Sequence, residues 1–154
     1  MTTVPVLIRD FKSEDFETLW LMDQLCFAPG LSYTRQELAG YMRRGGAFTL
    51  VSTNGSGAIT GFLVAQGGST GHIITIEVEP SSRREGAGSQ LLRTAEQRLH
   101  SNGSAAVGLE TAVDNLAALS FYKRHGYNVI GTRPRYYSNS VDALVLEKEL
   151  MPSM

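Results

Sequence analysis

A glycine-rich turn between a strand and a helix is the part of the sequence with the clearest chemical capacity. It reads Arg83-Arg84-Glu85-Gly86-Ala87-Gly88 and follows a strand break at Pro80-Ser81-Ser82. A helix that begins just after such a turn directs several main-chain N–H groups, and the positive end of its dipole, toward one point. The glycines let a ligand approach the main chain without meeting a Cβ. The pattern predicts a site for a phosphate or pyrophosphate.

Two known phosphate-binding motifs fit this turn poorly. A P-loop requires Lys and then Ser or Thr after its second glycine, but Gly88 is followed by Ser89-Gln90, so we discard it. A dinucleotide fold requires three spaced glycines and an acid about 20 residues further on. Gly86 and Gly88 meet the first condition in part, and Glu110 lies at a suitable distance. Because Leu91 stands where the third glycine belongs, a dinucleotide-dependent oxidoreductase is the weaker alternative.

The hydrophobic pattern identifies the elements on both sides of the turn. The segment 72–78 is rich in β-branched residues, which predicts a strand with Ile74, Ile76 and Val78 on one face. After the turn, leucine and alanine recur at helical spacing, at positions 91, 92, 95 and 99. Over the whole chain we predict the order βααβββαβαββ. This order indicates an α/β fold with one mixed sheet, hairpin-joined at both ends and crossed over by helices in the middle.

The composition is typical of one globular domain. The chain has 154 residues, 42% hydrophobic and 19% charged, and we expect residues 1–154 to share a single core. A net charge of −1 argues against a nucleic-acid partner, and no apolar run is long enough to span a membrane. The single cysteine, Cys26, excludes an internal disulfide and favours a cytoplasmic location. No cluster has the spacing of a metal site.

A second motif follows the glycine turn. It contains Leu109-Glu110, then Asn115, and then the run from Leu119 to Tyr127, within which Asn115 and Tyr122 lie on one helix face. Together the two motifs closely resemble the GNAT superfamily of acetyl-CoA-dependent N-acetyltransferases. The superfamily signature is Gln or Arg, two residues, Gly, one residue, then Gly or Ala, which Arg83 and the two glycines meet. From residue 73 to 150 the chain is similar to the RimI-type ribosomal-protein alanine N-acetyltransferases.

The resemblance implies a fold and a coenzyme. The fold is the GNAT fold, a mixed and mostly antiparallel sheet of about seven strands with about four helices, whose central strands splay apart. The coenzyme is acetyl-CoA, with its pyrophosphate on the main-chain amides of the turn and its pantetheine arm paired like an extra strand with Ile76 and Val78. No metal is expected. The residues that the resemblance assigns to coenzyme binding are Ile76, Val78, Arg83, Arg84, Glu85, Gly86, Ala87, Gly88, Ser89, Asn115 and Tyr122.

Acetyl transfer to an amine requires a base, a donor to the oxyanion and an acid for the leaving thiolate. The resemblance places the base at Glu110, with Glu77 on the central strand as the rival. A free Glu has a pKa of about 4.3, so Glu110 requires burial or a relay through water. Tyr122 is the candidate acid, because a phenol of pKa about 10 suits proton donation to a thiolate. The oxyanion donor is expected to be a main-chain N–H, and Val78 is the candidate.

The choice of acceptor is expected to depend on residues 26–33 and on the loop around Tyr136. The predicted acceptor-site residues are Phe27, Leu31, Tyr33, Glu77, Tyr136 and Tyr137. Here the chain departs from the RimI-type pattern, which has Phe-Pro-Trp before the second helix, because this segment has no tryptophan. The ribosomal substrate is therefore an open question.

The ordinary pKa of each kind of amine ranks the possible acceptors. An α-amine of pKa about 8 is neutral far more often at neutral pH than a lysine of pKa about 10.4, so it demands less of the base. We expect a protein or peptide N-terminal α-amine first, and lysine or a small amine second. A monomer or homodimer is expected. A non-catalytic acetyl-CoA-binding module is the remaining alternative, although such a module has no need of the Glu110 and Tyr122 pair.

Overall fold

The computed structural model describes residues 6–27, 31–137 and 139–150, in which one sheet carries helices on its faces. The strands are β1 (Leu7–Asp10), β2 (Ala47–Thr53), β3 (Ile59–Gln66), β4 (Thr70–Val78), β5 (Ala106–Ala112), β6 (Asn128–Arg133) and β7 (Ala143–Glu149). The helices are α1 (Phe16–Cys26), α2 (Arg35–Met42), α3 (Ala87–Ser101) and α4 (Leu116–Arg124). Among these described helices, none has both the length and the apolar character needed to cross a membrane.

The sheet divides at its centre. Its strand order is β1-β2-β3-β4-β5-β7-β6, and every neighbouring pair is antiparallel except β4 and β5. The parallel pairing of β4 with β5 covers only Thr70–His72 against Ala106–Gly108. Beyond His72 no described strand pairs with this edge of β4, so the two central strands splay apart. The predicted GNAT fold, with its mixed, mostly antiparallel sheet and its four helices, is confirmed.

A β-bulge in β4 corrects one prediction. The register of β3 against β4 shifts so that Val64 pairs with Thr75 and Ala65 with Ile73, which leaves Ile74 as an extra residue. Ile74 packs with the apolar cluster under α1 and α2, whereas Ile76 and Val78 pack with the cluster under α3. The prediction that Ile74 shares a face with Ile76 and Val78 was therefore wrong. The predicted shared face is correct only for Ile76 and Val78, which follow the bulge in the chain.

Apolar clusters lie on both faces of the sheet. On β2 the neighbours Leu50 and Val51 enter different clusters, as expected for side chains that alternate across a strand. Helix α3 contributes the four predicted positions to the larger cluster, namely Leu91, Leu92, Ala95 and Leu99. All four side chains are fully buried, so the helix predicted after the glycine turn is confirmed. Its packing fixes the direction in which the start of α3 points.

Candidate active site

The glycine turn leaves the start of α3 uncovered. Gly86 is the N-cap of α3 with a φ of 89°, and a Cβ added to it would meet no atom within 4 Å. Arg84 also has a positive φ, of 70°. Because the N-cap makes no side-chain hydrogen bond, the first main-chain N–H groups of α3 lack a capping partner there. These residues fit the diphosphate of coenzyme A.

A pocket of about 610 Å³ lies between the glycine turn, the free edge of β4 and α4. Pockets for organic ligands commonly have volumes of this order. Ten of the eleven predicted coenzyme-binding residues line the pocket, and Glu85 does not. The predicted acceptor-site residues Phe27 and Glu77 also line it. The fold therefore brings the two motifs of the sequence to one cavity.

Helix α4 forms the wall opposite β4. The Asn115 side chain accepts a hydrogen bond from the main-chain N–H three residues later at 3.1 Å, so Asn115 caps the helix. Tyr122 is 8% exposed, and Phe121 and Tyr127 hold its ring edge-on with centroids at 5.3 and 5.8 Å. Burial raises the pKa of the Tyr122 phenol above its ordinary value. The phenol therefore keeps its proton at neutral pH and is available as a donor.

The end of α4 is tied to the start of α3. His125 follows α4 as its C-cap, and its Nε2 lies 2.9 Å from Ser89 Oγ. The imidazole also packs on Phe121 at 4.8 Å, and burial lowers the pKa of His125. A Cβ on Gly88 would lie 3.4 Å from Phe121 Cζ, so the two helices approach closely at this point. The start of α3 and the end of α4 are thus held together at one end of the pocket.

The Val78 main chain at the end of β4 is already partly engaged. Its carbonyl accepts a hydrogen bond from Arg83 Nε at 3.1 Å, and the Cys26 thiol lies 3.7 Å from the same oxygen. Arg83 Nη2 lies 3.7 Å from Cys26 Sγ. Arg83 therefore anchors the glycine turn to β4, a role that the sequence did not indicate. The unpaired edge offers its remaining main-chain groups to a ligand in the gap.

Glu110 lies in a different group of side chains and does not line the pocket. His72 Nε2 lies 2.8 Å from Glu110 Oε1, and the Tyr136 hydroxyl donates to the same oxygen at 3.4 Å. The hydrogen bond from His72 is the main cause that holds the pKa of Glu110 below its ordinary value. Glu110 is therefore an ionised carboxylate at neutral pH. Its hydrogen bonds with His72 and Tyr136 also make it a weaker base than a free carboxylate.

The pKa of Glu77, unlike that of Glu110, is raised above its ordinary value. The Glu77 residue is 3% exposed, and its Oε2 accepts a hydrogen bond from the Thr75 hydroxyl at 2.9 Å. Desolvation, and then the neighbouring carboxyl of Asp23, hold the pKa of Glu77 far above its ordinary value. The rival base is therefore protonated at neutral pH.

Three of the predicted acceptor-site residues, Tyr33, Tyr136 and Tyr137, belong to two packed tyrosine pairs. Tyr33 packs on Tyr41 with ring centroids 5.2 Å apart, and Tyr136 packs edge-on to Tyr137 at 5.0 Å. Burial raises the pKa of Tyr137 to about 12. Leu31 is half-buried, whereas the predicted segment 26–33 also includes residues 28–30, which lie outside the described residues, as does residue 138 of the Tyr136 loop. The roles of these residues in acceptor binding stay predictions.

Two residues of the site were missed by the sequence reasoning. Neither His72 nor Asp23 was predicted to belong to the site, yet His72 contacts Glu110 and Asp23 is the neighbouring acid of Glu77. His72 and Glu110 are 38 positions apart in sequence, so no local pattern signals their contact. Among the described residues no group of His, Cys, Asp and Glu is arranged to hold a metal ion.

The chain matches the model of the acetyltransferase (GNAT) family over residues 9–127. It is 40% identical over 76 residues to an uncharacterised protein of Mycobacterium leprae, which covers 49% of this chain and 20% of that protein. It is 34% identical over 73 residues to N-alpha-acetyltransferase 30 of Schizosaccharomyces pombe, which covers 47% of this chain and 49% of that protein. The chain therefore spans half or less of the length of these two relatives.

Solved structures share the whole fold. Ard1 from Thermoplasma volcanium superposes with a TM-score of 0.87 at 26% identity, over 96% of this chain and 99% of that one. The ribosomal-protein-S18-alanine N-acetyltransferase of Escherichia coli superposes with a TM-score of 0.84 at 21% identity, over 97% of each chain. The second likeness supports the fold alone, so the expected RimI-like specificity is not established by it. With the glycine turn, the splayed strands and the family match in agreement, this chain belongs to the GNAT family of acetyltransferases.

Proposed function

We propose that this acetyltransferase moves an acetyl group from acetyl-CoA to a primary amine, with a protein or peptide N-terminal α-amine as the first candidate. The observation that carries the proposal is that the free edge of β4, the bare start of α3 and Tyr122 all line one pocket. The name of the S. pombe relative, an N-alpha-acetyltransferase, favours an α-amine. Lysine or a small amine is the alternative acceptor.

The turn residues would hold the coenzyme, which supplies the acetyl thioester when bound. The amides from Arg84 to Ser89 would bind its diphosphate, because an uncovered helix start favours anions. The main chain of Ile76 and Val78 would pair with the pantetheine arm. Since the Val78 carbonyl already accepts from Arg83, we assign to Val78 only its N–H, as the donor to the oxyanion.

Two side chains would move protons in this reaction. Glu110 is our candidate base, in partnership with His72, whose Nε2 lies 2.8 Å from the carboxylate and donates to it, because an ionised carboxylate only accepts. Because Glu110 lies outside the pocket lining, we infer that a water relays the amine proton to this pair. Tyr122, which lines the pocket as a protonated phenol, is our candidate acid for the leaving thiolate.

A thiol-release screen of N-terminal peptides, lysine peptides and small amines would test the proposed activity. Turnover with α-amines above the others would support the first candidate, and turnover with none would remove it. Tyr122→Phe should bind acetyl-CoA as the parent does and slow transfer by about 100-fold or more, the usual range for a general acid. If Tyr122→Phe turned over at the parent rate, Tyr122 would have no part in the mechanism.

Glu110→Gln should lose most rate at low pH, where few acceptor amines are neutral without a base. The matched comparison is Glu77→Gln, assayed over the same pH range. A pH profile of Glu110→Gln equal to the parent's, together with a large loss in Glu77→Gln, would transfer the role of base to Glu77.

A further inference from the structure

A hydroxyl at the start of α3 is hydrogen-bonded to a histidine that lies behind it. Ser89 is the third residue of α3 and lines the pocket. Its Oγ lies 2.9 Å from Nε2 of His125, which is the C-cap of α4 and does not line the pocket. Because a serine hydroxyl has one proton, Ser89 donates either to His125 or into the pocket, and not to both.

The packing of α4 on α3 fixes the imidazole in this position. The His125 ring packs on Phe121 with centroids 4.8 Å apart, and a Cβ on Gly88 would lie 3.4 Å from Phe121 Cζ. The main-chain N–H of His125 donates to the Tyr122 carbonyl at 3.0 Å. Within the described part of the chain, Ser89 is the one side chain that hydrogen-bonds the imidazole. The contact is therefore part of the way the two helices meet.

The charge of His125 decides where the hydroxyl proton goes. In a protonated imidazole both ring nitrogens are donors, so Nε2–H donates to Ser89 Oγ and the hydroxyl proton is left for the pocket. A neutral imidazole with its proton on Nδ1 accepts the hydroxyl proton at Nε2 instead. Since a diphosphate oxygen only accepts, the protonated ring is the form that suits a diphosphate on the glycine turn.

Most of the charged groups around His125 are cations. The groups that face it are Glu96 and Arg93 from α3, Lys148 from β7 and Arg124 from α4. Glu96, the one carboxylate among them, already accepts from Lys148 Nζ at 2.9 Å. Burial is the main cause that lowers the pKa of His125 below its ordinary value, so the free protein holds the ring neutral at neutral pH. A bound diphosphate adds negative charge nearby and favours the protonated ring.

We propose that His125 is a positioning residue for the coenzyme, which on gaining a proton donates to Ser89 Oγ and directs the Ser89 hydroxyl to the diphosphate. The inference rests on the proposed function, because it takes the diphosphate to lie on the glycine turn. The protonated ring is favoured as the pH falls, so binding should take up a proton and become tighter at low pH. Between about pH 8 and about pH 5 the Kd should fall by about tenfold, as one hydrogen bond to a charged group allows.

Calorimetric titration in two buffers of different ionisation enthalpy counts the protons taken up on binding. The ligand should be 3′-dephospho-coenzyme A, because it keeps the diphosphate and lacks the phosphate monoester, whose second pKa of about 6 falls in the same range. The parent should take up close to one proton near the pKa of His125. In His125→Gln the amide has no proton to gain, so proton uptake should vanish and the Kd should not change with pH. The matched control is His100→Gln, near the far end of α3, which should behave as the parent does.

Ser89→Ala separates the hydroxyl from the charge of the ring. Without the hydroxyl the ligand should bind about tenfold more weakly at low pH, and its Kd should lose most of its change with pH. Should His125→Gln not fold, Ser89→Ala decides the question alone. A pH dependence unchanged in Ser89→Ala would mean that His125 acts by charge only and would overturn the proposal, as would a parent that binds with no proton uptake. If the parent bound the coenzyme at no pH, the proposed function itself would fail, whereas binding without proton uptake would overturn this inference alone.

Discussion

The variant Gly86→Glu tests whether the glycine turn binds the coenzyme. The variant Gly57→Glu is its matched control, because it should introduce the same backbone strain away from the pocket. Gly86 has a φ of 89° and Gly57 a φ of 86°, and a Cβ at either glycine would meet no atom within 4 Å. An L-residue in this left-handed region costs about 1–2 kcal/mol, so the two glutamate variants should lose similar stability. For a domain of this size the loss lowers Tm by about 2–8 °C. Only the Gly86 variant places a carboxylate where we expect the diphosphate.

The expected loss of affinity follows from Coulomb's law. A carboxylate about 4 Å from one phosphate charge repels it by about 1 kcal/mol in water and by about 4 kcal/mol near a protein surface. Since about 1.4 kcal/mol is tenfold in Kd, an intermediate repulsion weakens the binding of acetyl-CoA to Gly86→Glu by about 100-fold. Gly57 lies in the turn between β2 and β3 and does not line the pocket, so Gly57→Glu should bind acetyl-CoA as the parent does.

Thermal unfolding with and without acetyl-CoA measures this difference. Ligand at about 100 times Kd stabilises the parent by about 2.7 kcal/mol, which raises Tm by about 5–11 °C. The same concentration is then close to the Kd of Gly86→Glu and stabilises it by only about 0.4 kcal/mol. Coenzyme A without the acetyl group should act nearly as well on the parent. If Gly86→Glu kept a shift as large as that of Gly57→Glu, the diphosphate would not lie on this turn.

Two further substitutions test the packing behind the site. Tyr127→Phe removes a buried hydroxyl that donates to Glu96 Oε2 at 2.7 Å, and urea unfolding should find it about 1–3 kcal/mol less stable; a loss below this range would mean that Glu96 finds another donor. In Gly61→Ala the new Cβ would lie 2.6 Å from the Glu77 carbonyl oxygen, so the variant should be insoluble or lose about 3 kcal/mol or more. The control for Gly61→Ala is Gly131→Ala, because a Cβ at Gly131 would meet nothing within 4 Å. Equal Tm values for the two alanine variants would contradict the close approach of β3 to β4.

Features set by a few neighbouring residues were predictable from the sequence. The glycine turn, the buried positions of α3 and the shared face of Asn115 and Tyr122 each depend on spacing within one or two helical turns. The bulge at Ile74 was not predictable, because it arises from the register of β4 against β3 and leaves the alternating composition of β4 unchanged. Contacts between residues that are far apart in the sequence, such as the contact between His72 and Glu110, were not predictable either, because they also depend on how distant elements pair.

The charge states of the two candidate bases show why sequence alone leaves the mechanism open. Glu110 and Glu77 are both glutamates on central strands, and nothing in their local sequence separates them. The hydrogen bond with His72 keeps Glu110 ionised, and burial, together with the neighbouring carboxyl of Asp23, keeps Glu77 protonated. At neutral pH a proton acceptor must therefore be sought at Glu110, since Glu77 has no free charge with which to accept. Glutamine resembles the protonated form of glutamate, so Glu77→Gln approximates the state that the parent already has at neutral pH, whereas Glu110→Gln removes a charge that the parent carries at neutral pH. The larger loss of rate at neutral pH should therefore belong to Glu110→Gln, and the opposite order would mean that acceptor binding expels the Glu77 proton and makes Glu77 the base.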